Sequence, residues 1–132
     1  MGTFKDTEQA REYFAGDRFA AVNGMHIEAL ADGECICSMD IRPDHRNALG
    51  GIMGGVIYTL ADFAFAAAAN QDHSPTVALE AKVNYLTASK GEHLTARAKC
   101  IKSGKSTSVF EVTVTDEMGK DVALMLVTGY KL

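Results

Sequence analysis

The sequence predicts an α+β domain in which an antiparallel sheet wraps one long apolar helix. Two observations carry this. Residues 52–69 (IMGGVIYTLADFAFAAAA) are apolar on every side and rich in alanine, the strongest helix former, so this helix is expected to be buried all round. Strand-like alternation then comes in a run, with short turns and no helices between its members. That order argues against a parallel β-α-β sheet.

The elements follow in chain order. Residues 6–20 (DTEQAREYFAGDRFA) read as one amphipathic helix that Gly16 ends or kinks. Asn23-Gly24 is a turn signal. Met25, Ile27 and Ala29 alternate with His26, Glu28 and Leu30 as a strand. After an Asp32-Gly33 turn, Cys35, Cys37, Met39 and Ile41 alternate as the buried face of a second strand. Pro43 stops it, and residues 42–51 form a polar loop ahead of the long helix. A membrane span is the rival reading of that helix. The run falls short of the ~20 residues a span needs, and Asp62 sits in its middle at a cost of ~2.5–3.5 kcal/mol. Beyond a loop at Asn70–Pro75, the alternating sets are Val77 to Tyr85, Leu94 to Cys100, Phe110 to Val114, and Asp121 to Tyr130.

One domain spanning 1–132 is expected, with 47% hydrophobic residues to fill its core. A sheet that covers a helix on one face leaves an edge and an outer face, which oligomers usually hide. The net charge of −4 argues against nucleic acid as a partner. The polar start, Met1 to Arg11, lacks the apolar core of a signal peptide. Three cysteines, an odd count, read as reduced, buried thiols in a cytoplasmic protein. No metal-ligand spacing, P-loop, dinucleotide fingerprint or Ser-His-Asp constellation is present, and His26, His45, His73 and His93 are scattered. No cofactor is expected.

Four features can carry chemistry. Asp62 is a lone carboxylate on an apolar helix. Either it caps a loop or meets an arginine elsewhere, or it lines a cleft. The residues at i±3 and i±4 (Tyr58, Thr59, Phe65, Ala66) include no cation, which favours the cleft. Gly54-Gly55 opens the helix, where free amides suit a developing oxyanion; close packing on a strand explains the pair equally well. Asn47 offers an amide donor, or an Asx turn. Lys102-Ser-Gly104-Lys105-Ser106 can hold phosphate, or be a solvated hairpin turn. Gly54 and Asp62 are separated by ~12 Å along a helix. One carbonyl carbon cannot touch both in one chain, so a shared site requires two subunits.

The run from Asn47 through Gly50, Met53, Gly54 and Gly55 to Asp62 resembles the signature of hotdog-fold acyl-CoA thioesterases of the phenylacetic-acid-degradation (PaaI-like) type. Val83-Asn84-Tyr85-Leu86 and the Lys102–Lys105 turn also fit in place. The resemblance covers nearly the whole chain. It implies hydrolysis of a CoA thioester by dimers with shared sites that pair into homotetramers. It matches Asp62 to the catalytic acid, Gly54 to the oxyanion amide and Asn47 to the residue that orients carbonyl or water. Met53, Gly55, Tyr58 and Ala78 fall at substrate-contacting positions, and Lys90, Lys102, Gly104, Lys105 and Ser106 at CoA-contacting ones. Two departures stand out. Met53 replaces the family's histidine, and Ala78 lacks the hydroxyl that some relatives carry. They motivate a second reading, a non-catalytic acyl-CoA-binding module. A hotdog hydratase is weaker, since such enzymes usually pair the carboxylate with a histidine.

Overall fold

The computed structural model describes residues 2–132; Met1, the start of the polar opening stretch, lies outside the described residues. The elements are α1 (Thr7–Phe14), α2 (Arg18–Val22), β1 (His26–Ala31), β2 (Glu34–Asp40), a short 3-10 turn (Pro43–His45), α3 (Gly54–Asp72), β3 (Thr76–Tyr85), β4 (His93–Ser103), β5 (Thr107–Asp116) and β6 (Asp121–Lys131). The strands form one antiparallel sheet in the order β1-β2-β4-β5-β6-β3.

Alternation sets the inner face. Cys35, Cys37 and Met39 of β2, Leu94, Ala96 and Ala98 of β4, Phe110, Val112 and Val114 of β5, and Met125 and Val127 of β6 are all buried. Helix α3 lies on this face with Leu60, Ala64, Phe65, Ala67 and Ala68 against it, and the alanines of β4 and α3 leave room for close approach. The Phe65 and Phe110 rings meet edge to face at 5.5 Å. The two β2 thiols share one face, as their spacing predicts, with sulfurs 3.6 Å apart. The contact with Cys35, then burial, pushes the Cys37 thiol far up, so it stays protonated.

Several expectations are corrected. The single helix over 6–20 is two, because Asp6 and Asp17 each start one: Asp6 Oδ1 accepts from Gln9 N at 2.8 Å and Asp17 Oδ1 from Ala20 N at 3.1 Å. In β1 the register shifts between Ile27 and Ala29, so Leu30 turns inward and Ala29 outward. Helix α3 begins at Gly54, because Ile52 bridges to Arg46 and Met53 is extended. It runs on to Asp72 because Asn70 and Gln71 find partners inside. Asn70 exchanges hydrogen bonds with Thr76 and donates to the Ala66 carbonyl, and Gln71 Oε1 accepts from Phe4 N. Nor is α3 covered all round. Gly55 is exposed and Thr59, Asp62 and Ala66 are half-buried, at spacings that put them on one face.

The largest correction concerns β3. Its apolar set does not pack as a buried face: Val77 is 46% and Leu79 65% exposed, with a register shift between Ala78 and Glu80. It is an edge strand with only β6 beside it. Among the described residues, no helix is long and apolar enough to cross a membrane.

Candidate active site

The N-terminal end of α3 is held by the loop before it. His45 is buried. Its Nδ1 accepts from Arg42 N at 2.9 Å, so its Nε2 carries the proton and donates to Asn23 Oδ1 at 3.1 Å. Burial, then the Arg42 charge, lowers its pKa, so it sits here as a neutral brace. Its carbonyl accepts from Met53 N at 2.9 Å, which fixes the residue ahead of the helix. Asn47 makes the Asx turn: Oδ1 accepts from Leu49 N at 2.9 Å and Gly51 N at 3.1 Å. Its Nδ2 has no partner among the described residues and can still donate. The Asx-turn reading of Asn47 is therefore formed, and its amide is left available as a donor.

Gly54 and Gly55 open α3 without a side-chain cap, and their N–H groups find no acceptor among the described residues. Tyr85, at the end of β3, donates its hydroxyl to the Gly54 carbonyl at 3.0 Å. A Cβ on residue 54 would lie 3.2 Å from that ring, and one on residue 55 would lie 2.6 Å from the Met53 methyl. Packing on the Tyr85 ring thus accounts for Gly54, whereas at Gly55 the obstacle is the mobile end of the Met53 side chain. A cavity of about 340 Å³ opens beside them, lined by Ile52, Gly54, Ile57, Tyr85 and residues 86–89. Lys90 follows it, exposed. Tyr85 was not singled out as a site residue from the sequence; its place in the Val83–Leu86 run was the available signal.

Asp62 lies two turns further along. It is half-buried and has no hydrogen bond or ion pair among the described residues, so within this chain it neither caps a loop nor meets an arginine. Burial, and then the charge of Asp17, push its carboxyl above the ordinary carboxylate range. Asp17 is a neighbour that linear sequence could not reveal. Tyr58, also half-buried, packs on the core from the same helix.

The lysine hairpin lies elsewhere. Ser103 Oγ donates to Asp72 Oδ2 at 2.6 Å, and Lys131 Nζ donates to Ser103 Oγ and the Gly104 carbonyl, both at 2.7 Å. Lys102, Gly104, Lys105 and Ser106 therefore sit at the C-terminal end of α3, ~27 Å along the helix from Gly54. The chain brings Asn47, Met53, Gly54 and Gly55 together. It does not bring the hairpin to them. Ala78 is exposed and lies near the hairpin end of α3, since β3 starts beside Asn70 and ends beside Gly54. Among the described residues no group of three or more His, Cys, Asp or Glu could hold a metal ion.

A family model described as the thioesterase superfamily matches residues 49–123. Escherichia coli (strain K12) acyl-coenzyme A thioesterase PaaI is 29% identical over 91% of this chain and 86% of its own length. Human acyl-coenzyme A thioesterase 13 is 31% identical over 74% and 72%. The solved E. coli PaaI structure superposes with a TM-score of 0.89 at 27% identity, covering 93% of this chain and 90% of the other. A hypothetical thioesterase protein of Streptococcus pneumoniae TIGR4, solved with coenzyme A, gives 0.83 at 27% identity over 90% and 94%. With its helix-wrapping sheet, its glycine-opened helix and these relatives, the chain belongs to the thioesterase superfamily, as a hotdog protein of the PaaI-like type.

Proposed function

We propose that this protein hydrolyses an acyl-CoA thioester to the free acid and CoA. The observation that carries the proposal is the pair formed by a half-buried carboxylate without a partner, Asp62, and the uncapped amides of Gly54 and Gly55 on the same helix. The names of the E. coli and human relatives support the substrate class. Ionised Asp62 takes a proton from water, and the resulting hydroxide adds to the thioester carbon. The oxyanion that forms is held by the Gly54 N–H, with Asn47 Nδ2 orienting the carbonyl or the water. Collapse breaks the carbon–sulfur bond, and the leaving thiolate is protonated. Direct attack by the carboxylate, through an anhydride that water then cleaves, uses the same groups. Single turnover in ¹⁸O-water reads the anhydride route: label in Asp62 shows an anhydride cleaved at the protein carbonyl, whereas label in the acid alone comes from water attack on the thioester or on the acyl carbon of the anhydride.

The ~12 Å between Gly54 and Asp62 supports a dimer in which one subunit's amide meets its partner's carboxylate. The open β3 edge and the uncovered face of α3 give that dimer a surface. The same logic places the Lys102–Ser106 hairpin, with Lys90, as CoA contacts supplied across subunits of a cytoplasmic homotetramer. The test is thiol release from a panel of aryl and aliphatic acyl-CoAs. Turnover of at least one is expected. Tight binding with no turnover anywhere selects the non-catalytic reading, which Met53 at the helix start favours.

The pH–rate profile gives a sharper check. The ionised carboxylate is the reactive form, so the rate falls as pH drops through a pKa above the ordinary carboxylate value. Asp17→Asn keeps a side chain able to cap α2 but removes the repelling charge. The acid limb should then move to lower pH. An unmoved limb would show that another group titrates there.

A further inference from the structure

The peptide between Gly54 and Gly55 carries a side-chain contact that the proposed reaction has not used. Tyr85 donates its hydroxyl to the Gly54 carbonyl at 3.0 Å, across 31 residues of sequence. The ring closes on the Gly54 Cα: a Cβ there would stand 3.2 Å from Cζ and 3.3 Å from the hydroxyl oxygen. Glycine thus leaves the phenol room to reach this carbonyl. The strand end that presents the ring is held in place. Tyr85 pairs with Ala123 of β6, and Leu86 N donates to the Val122 carbonyl at 2.8 Å. The ring is 51% exposed, yet its hydroxyl is tied to one particular peptide.

The Gly54 carbonyl and the Gly55 N–H are the two ends of one conjugated peptide group. A donor on that oxygen draws charge from the nitrogen and makes the N–H a stronger donor in turn. The peptide before it is served differently. The Met53 carbonyl, which shares a peptide with the Gly54 N–H, accepts from Val56 N at 3.0 Å and Ile57 N at 3.4 Å, both from the helix itself. Successive amides at a helix start can converge on one anionic oxygen. We propose that Tyr85 is a positioning residue of the oxyanion site: through the Gly54 carbonyl it fixes and strengthens the Gly55 N–H as a second donor beside that of Gly54. The proposal rests on the thioesterase reading and adds a residue to it. Tyr85 touches no reacting atom, and its phenol proton stays on its own oxygen throughout.

Tyr85→Phe tests this, because it keeps the ring and its packing on Gly54 and removes only the hydroxyl. Amide NMR of the ligand-free, ¹⁵N-labelled protein reads the first step. The Gly55 nitrogen should move upfield by more than that of Gly54, whose peptide keeps its helical partners. Steady-state hydrolysis reads the second. Polarisation of ~10–30%, acting on a donor worth ~10²–10³ in rate, lowers kcat about 2- to 8-fold with KM unchanged. A merely loosened strand would raise KM and shift both nitrogens together. The third readout needs no turnover. With benzoyl-CoA ¹³C-labelled at its carbonyl and bound to Asp62→Asn protein, adding Tyr85→Phe should raise the infrared stretch of that carbonyl, since a weaker donor draws less charge onto the oxygen. Equal shifts at the two nitrogens would overturn the proposal. So would an unmoved stretch or, where hydrolysis occurs, an unchanged kcat or a loss carried by KM. Absence of thiol release from the parent protein would instead count against the thioesterase reading, and the nitrogen shifts and the stretch would still decide the part of Tyr85.

Discussion

Asp62→Asn should lower thioester hydrolysis by ~10³-fold or more while making the protein more stable at neutral pH. The first effect follows from removing the proposed base or nucleophile, since positioned proton transfer alone contributes ~10²–10⁴-fold. The second follows from the direction of the pKa shift. The folded state holds the Asp62 proton above the ordinary value of 3.8, so it binds more protons than the unfolded chain across the window from 3.8 up to the raised value. Stability is highest below that window and is lost as pH rises through it. At pH 7 the charge is therefore a burden on the fold, and the neutral amide removes it. Thiol trapping reads the rate, and melting curves at pH 4 and pH 7 read the stability. The variant's gain in Tm should be larger at pH 7. Unchanged hydrolysis would sink the assignment of Asp62, and a variant less stable than the parent at pH 7 would contradict the burial argument.

Gly54→Pro isolates the amide. Proline is tolerated in the first turn of a helix, and the extended Met53 ahead of it (φ −62°, ψ 135°) suits a following proline. The substitution deletes the N–H, and the half-exposed Tyr85 ring must give way by a few tenths of an ångström. Loss of one oxyanion donor should cost about 10²–10³ in kcat with KM little changed. Mixing this variant with Asp62→Asn then tests where the site lies. Each parent dimer is dead twice, but a hybrid dimer keeps one intact pairing of Gly54 from one chain with Asp62 from the other. Random mixing of equal amounts should recover about a quarter of the parental activity. No recovery after subunit exchange would show that the two groups do not act on one substrate across subunits.

How much could be read ahead of the structure depended on what each residue faces. Strands β2, β4 and β5 announce themselves because one face of each is buried by this chain's own α3, so alternation in sequence is alternation in burial. β3 carries the same alternation, yet among the described residues only Ala81 and Val83 of it pack partly on the core, while Val77 and Leu79 stay uncovered. Periodicity reports that a face is meant to be covered and is silent about by whom. The polar tail of α3 failed for another reason. Asn70 and Gln71 look like loop residues, and only their contacts with Thr76 and Phe4 show that they belong inside. For the site, Asp62 was legible because a carboxylate in an apolar run is costly, and Gly54 because its spacing from Asp62 is informative. Tyr85 and Asp17 come from elements far away in sequence, and their parts exist only once β3 and the α1–α2 corner have closed on α3.

That closure has a place in time. Strands β4, β5 and β6 follow one another through short turns, so they can zip as a local meander. β3 precedes them in the chain but pairs with β6, the last of them, so it must wait until two whole strands have been laid down between the partners. Pairings of high sequence separation close late because their loop entropy is met only after the local contacts exist. The strand that delivers Tyr85 to the helix start thus joins only after the β4–β5–β6 meander has formed. During synthesis and refolding, the chain keeps this edge unfinished until that meander is in hand.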